Sequence, residues 1–229
     1  MDTATKARRP LTVMAWIYGG SYVGRSGSMA MTDGAALARR GTVVVSFNYR
    51  TGIFGFLAHP ALSAESNHHA SGNYGILDAR AALGWVKRNI AAFGGDPSRV
   101  TVFGVSSGAS LITMLLISRQ SGGLFSGRHS RKPRSAASAC HIAEQRGVRR
   151  KHRERLSHLR AMDAAVLQKI AEERSPSIRD LDKPRVFGPT VDGWLLPTDD
   201  ATAIANKTVL PVPLIVGDNA DEGRLFVAR

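Results

Sequence analysis

Two kinds of apolar pattern alternate along the chain. Short blocks of β-branched and aromatic residues occur at 11–17 (LTVMAWI), 42–47 (TVVVSF), 100–103 (VTVF) and 212–216 (VPLIV). Apolar side chains on both faces of 42–47 mark a strand buried inside a parallel sheet. Between the blocks the spacing changes. Ala82, Trp85, Val86, Ile90 and Phe93 recur at helical intervals, which predicts a helix over 78–93 ended by the Gly94-Gly95-Asp96-Pro97 turn. Further helices are predicted over 32–40, closed by Gly41, over 107–118 and over 161–173. Strands alternating with helices form βαβ units, so the predicted fold class is α/β, with a mostly parallel sheet flanked by helices.

Charge alters this picture in one place. The 229 residues carry 31 Lys+Arg against 18 Asp+Glu, a formal net charge of +13. Residues 128–160 hold eleven of the basic side chains, opposed only by Glu144 and Glu154, so +9 of the charge belongs to this window. Serine, alanine and arginine dominate it and apolar residues are sparse, so 128–160 is expected to be a basic surface loop or disordered stretch. No aromatic side chains interleave with the charges as base stacking needs, so nucleic acid is not the expected partner.

The remaining composition excludes several classes. With 43% apolar residues the chain has enough material for a folded core. A single cysteine rules out an internal disulfide framework and a multi-cysteine zinc site. The seven histidines have no partner cluster at ligand spacing, so no metal or other cofactor is expected. No apolar run approaches the roughly 18–20 residues of a membrane-spanning helix. Residues 1–10 lack the apolar core of a secretory signal, and the sequence assigns no compartment.

Candidate chemistry lies at Gly104-Val105-Ser106-Ser107-Gly108, a G-x-S-x-G sequence between a predicted strand and a predicted helix. A serine on such a sharp turn is a candidate nucleophile, and glycines two residues before and after remove the Cβ atoms that would clash there. The helix behind Ser106 aims amide N–H groups at its hydroxyl and favours negative charge. Directly after the first strand comes Tyr18-Gly19-Gly20-Ser21-Tyr22. The amides of Gly19, Gly20 or Ser21, with that of Ser107, are candidate donors to the anion of a tetrahedral intermediate.

Several stretches in one order resemble the type-B carboxylesterase family, the cholinesterase-like branch of the α/β hydrolases. They are 13–22 (VMAWIYGGSY), 43–57 (VVVSFNYRTGIFGFL), 72–78 (GNYGILD), 82–97 (ALGWVKRNIAAFGGDP), 100–108 (VTVFGVSSG), 187–196 (FGPTVDGWLL) and 213–226 (PLIVGDNADEGRLF). The resemblance implies a carboxylic ester hydrolase acting on small-molecule esters through an acyl-enzyme. Ser106 would be its nucleophile, Gly19, Gly20 and Ser107 its oxyanion hole, and Glu222 the acid of its triad. Alone, Glu222 reads as an exposed loop carboxylate. The family's adhesion modules imply an alternative, a non-catalytic scaffold or interaction fragment.

Departures from the family pattern carry their own expectations. Val105 stands where the family usually has Glu, and Ser21 where it usually has Gly. Strands upstream of Leu11 are missing, so 1–229 is expected to be a single partial α/β-hydrolase domain, incomplete at both ends. The match is in register on both sides of the basic window, which implies a locally shifted reading frame within it. The family order is serine, acid, histidine, yet no histidine follows Glu222. This chain alone is therefore expected to be nearly inactive.

Overall fold

The computed structural model describes residues 9–131, 149–174 and 186–218. Among these, five strands form one parallel sheet in the order β2-β1-β3-β4-β5. They are β1 (Leu11–Ile17), β2 (Thr42–Ser46), β3 (Gly95–Val105), β4 (Gly127–Arg131) and β5 (Leu214–Gly217). The helices are α1 (Ala35–Ala38), α2 (Gly52–Phe56), α3 (Pro60–Glu65), α4 (Tyr74–Asn89), α5 (Ser107–Ile117), α6 (Arg149–Ala161), α7 (Ala164–Arg174) and α8 (Asp200–Ala205). The α/β class expected from the pattern is the class observed.

The core forms where β1 runs between β2 and β3. Its register pairs Thr12 with Thr42 on one side and Val13 with Val100 on the other, with an irregularity before Val13. Val13, Ala15 and Ile17 are consequently sealed from solvent, packed with Leu83 and Val86 of α4 and Leu111, Ile112 and Leu115 of α5. The valines of β2 are only half-buried, because among the described residues β2 ends the sheet on that side.

Boundaries move for local reasons. The helix expected over 32–40 contracts to α1, where Asp33 Oδ1 accepts the Ala35 amide at 3.0 Å and Gly41, at φ 85°, reverses the chain. The helix expected over 78–93 is α4 followed by a 3-10 turn (Ile90–Phe93), with Gly94 at φ 77° ending it. The helix expected over 161–173 starts at α7, where Asp163 Oδ1 takes the amides of Ala165 and Val166.

The basic window departs from expectation at both ends. Gly127–Arg131 is a strand between β3 and β5, and Arg149–Ala161 is a helix that reaches α3 through a two-pronged Arg160–Glu65 pair at 2.6 and 3.0 Å. Neither end is a loop; residues 132–148 lie outside the described residues. Backbone pairing to β3 places β4, a decision that an Arg-His-Ser-Arg sequence does not advertise.

Candidate active site

The β3–α5 junction is built by steric exclusion. Ser106 occupies φ 56°, ψ −126°, a conformation strained for any residue with a side chain, and stands exposed between the end of β3 and the first residue of α5. The two flanking glycines make the bend possible. A Cβ on Gly104 would lie 2.6 Å from the Ile17 carbonyl oxygen. One on Gly108 would lie 2.7 Å from the Tyr18 carbonyl oxygen and closer still to that of Ile17. Both glycines thus let the elbow press against the C-terminal end of β1.

This contact carries the glycine loop to the serine. A Cβ on Gly19 would lie 2.5 Å from the Val105 carbonyl oxygen and 3.1 Å from Ser106 Cβ. Gly19 therefore adjoins the nucleophile candidate. Ser107 is buried as the first residue of α5, in the turn whose N–H groups have no intrahelical acceptor. No backbone acceptor among the described residues takes the Gly19 or Ser107 amide. The helix dipole adds a positive potential at the same end of α5.

Gly20 lies one residue farther along, at φ 128°, with Gly24 and Arg25 as its nearest neighbours. Ser21 and Tyr22 follow at φ 54° and 65°. Three successive left-handed residues coil the loop tightly, and Ser21, at the position where the family pattern has Gly, adopts a backbone that glycine would accept without strain. Glu222 lies outside the described residues.

Sequence spacing missed the parts that hold this loop. Tyr18 and Tyr49 are buried and stacked, with ring centroids 4.4 Å apart and planes 20° from parallel. Tyr18 Oη donates to the Tyr49 carbonyl at 3.0 Å, and Tyr49 Oη donates to the Tyr18 carbonyl at 2.8 Å. Burial, the largest cause, pushes the Tyr49 hydroxyl far above the ordinary phenol range, so it remains a donor. Arg50, next to Tyr49, binds Asp78 of α4 through its backbone amide (2.9 Å), Nε (2.8 Å) and Nη2 (2.7 Å). Asn73, at the start of α4, exchanges two hydrogen bonds with the Thr190 backbone and donates to Asp192 at 2.9 Å. The only advance signal was that both tyrosines lie just beyond predicted strands.

The histidines with described side chains have other engagements or open surroundings. His59 Nδ1 accepts the Ala61 amide at the start of α3, His68 stacks on Trp194, and His158 is exposed. Among the described residues no three His, Cys, Asp or Glu side chains cluster closely enough to hold a metal ion. No helix among them is long and apolar enough to cross a membrane.

A parallel sheet that hands a strained serine to a helix is the arrangement of the α/β-hydrolase fold. The family model for the carboxylesterase family matches residues 2–229, and the chain belongs to that family. It is 49% identical over 219 residues to fumonisin B1 esterase of Sphingopyxis macrogoltabida, covering 96% of this chain and 41% of that protein. Para-nitrobenzyl esterase of Bacillus subtilis is 37% identical over 234 residues (98% and 46% of the two chains), and human neuroligin-2 is 34% identical over 232 (99% and 27%). A solved PNB esterase superposes with a TM-score of 0.82 at 34% identity, covering 96% of this chain and 48% of that one. The chain thus spans less than half the length of these relatives.

Proposed function

We propose that this chain carries the acyl-transfer part of a serine-type carboxylic ester hydrolase. The observation that bears most on this is the junction itself: Ser106 in a strained bend, adjoining Gly19 and followed by the open amide of Ser107. In this reading Ser106 Oγ attacks the ester carbonyl carbon and its proton passes to a base. The oxyanion accepts hydrogen bonds from the Gly19 and Ser107 amides, with Gly20 completing the loop. The C–O bond then breaks, alcohol leaves with a proton, and water hydrolyses the acyl-serine. Glu222 orients and stabilises the base as its cation forms. Because no histidine follows Glu222 in these 229 residues, they are expected to acylate slowly and turn over little. Loss of a triad histidine costs on the order of 10⁶ in kcat, and the oxyanion hole and binding retain roughly 10³–10⁴ over water.

A small p-nitrophenyl ester tests the proposal. The expected result is slow nitrophenolate release, about one equivalent per chain, with an acyl adduct on Ser106 in the intact mass and none in Ser106→Ala. Release undiminished in Ser106→Ala would overturn it. Absence of both release and adduct in the unaltered chain would overturn it too and favour a second reading, a non-catalytic scaffold, with which the similarity to neuroligin-2 is consistent.

A further inference from the structure

Peptide geometry links the Tyr18–Tyr49 pair to the oxyanion loop. The Tyr18 carbonyl and the Gly19 N–H belong to one planar unit and point in opposite directions, so the amide cannot turn unless the carbonyl turns with it. That carbonyl is held from two sides. Tyr49 Oη donates to it at 2.8 Å, and Gly108 packs beneath it so closely that a Cβ there would come within 2.7 Å. The donor is itself anchored. The Tyr49 ring is stacked on Tyr18, its carbonyl accepts the Tyr18 hydroxyl, and the next residue is tied to α4 by three hydrogen bonds from Arg50 to Asp78. Beyond the plane, Gly19 adjoins Ser106.

We infer that Tyr49 is a positioning residue: its buried hydroxyl, bonded to the Tyr18 carbonyl, sets the direction of the Gly19 amide toward the developing oxyanion. The inference rests on the proposed serine reading only for its catalytic consequence. A hydrogen bond at a carbonyl also polarises its own amide and makes the N–H a stronger donor. Tyr49 touches neither substrate nor Ser106 in this scheme; it acts through one peptide plane.

The test is Tyr49→Phe, which keeps the ring and removes one oxygen. Protein labelled with carbonyl-¹³C tyrosine and ¹⁵N glycine shows an amide signal only for glycines that follow tyrosine. In this sequence these are Gly19 and Gly75. Gly75, inside α4, serves as an internal reference. The expected result is that the Gly19 signal moves while Gly75 stays; a folded variant with an unmoved Gly19 signal overturns the inference. Should Tyr49→Phe fail to fold, Tyr18→Phe is measured with phenylalanine labelled instead. This variant leaves the Tyr49 hydroxyl on the carbonyl, so Gly19 must keep an ordered, native signal, and collapse to its denatured position overturns the inference.

Catalysis supplies a second reading of the same variant. Acylation by an ester should slow about tenfold in Tyr49→Phe with half-saturation changed less than about twofold, since a misdirected donor costs less than the 10²–10³ of a deleted one. Acylation by the matching thionoester, whose sulfur accepts hydrogen bonds weakly, should slow less than about threefold. Equal slowing of both overturns the inference. If cleavage survives Ser106→Ala, the serine reading fails, and the Gly19 signal still decides what Tyr49 does.

Discussion

β1 and β5 are apolar strands of one sheet with opposite fates. Val13, Ala15 and Ile17 of β1 are 0% exposed, whereas Leu214, Ile215 and Val216 of β5 are 45%, 62% and 51% exposed. Their sequences are alike; their neighbours are not. β1 has a strand on each side and lies under α4 and α5, while β5 has β4 as its partner among the described residues. Apolar composition makes a strand, and only its surroundings make it core. The elbow leaves β3 and packs against the end of the buried β1, where Gly104 and Gly108 meet the Ile17 and Tyr18 carbonyls.

Glycine substitution should break this contrast most sharply. Gly108→Ala drives a methyl into the Ile17 and Tyr18 carbonyls and is expected to cost about 4 kcal/mol in urea unfolding, with loss of ester acylation. Gly217→Ala in β5 meets nothing within 4 Å and should stabilise by about 0.5 kcal/mol or leave the midpoint unchanged. Similar losses at the two sites would remove the distinction. Cavity formation is the next test: Ile17→Ala should cost about 3 kcal/mol, and Ile215→Ala under about 1 kcal/mol, by the same measurement.

The smallest effect is electrostatic and sharpens the β1 side alone. Asp96 accepts hydrogen bonds from Ser98 and Arg99, and Arg99 reaches on to Thr12 and the Pro10 carbonyl, joining the start of β3 to that of β1. The Ser98 hydroxyl first, then Arg99, lower the Asp96 carboxyl from 3.8 to about 2. A carboxyl lowered on folding stabilises the fold above its unfolded value, and this support is lost as pH falls through the window from 3.8 to about 2. Asp96→Asn should flatten the acid limb of a stability–pH curve within that window by lowering stability slightly at neutral pH, the two curves meeting at the acid end. An unaltered limb would show that Asp96 carries none of this pH dependence.

Legibility followed the range of the forces. The elbow at 104–108 was readable because a Cβ clash and a positive φ act within a few residues, and α4 because its apolar stripe repeats each turn. β4 was not readable: Arg128, His129, Ser130 and Arg131 show no strand pattern, and pairing with Thr101–Val105 of β3 places them there. α6 was hidden by the same basic composition. The Tyr18–Tyr49 clamp joins positions 31 apart, across two strands, where no spacing rule operates.

By itself, then, the sequence determined the alternation of strands and helices, the bend at Ser106 and the glycines beside it, since these depend on local sterics and periodicity. The tertiary structure decided which apolar strand became core, where a polar strand entered the sheet, and how Gly19 came to adjoin Ser106. Those outcomes depend on partners distant in the chain, whose energies exist only once the backbone has closed around them.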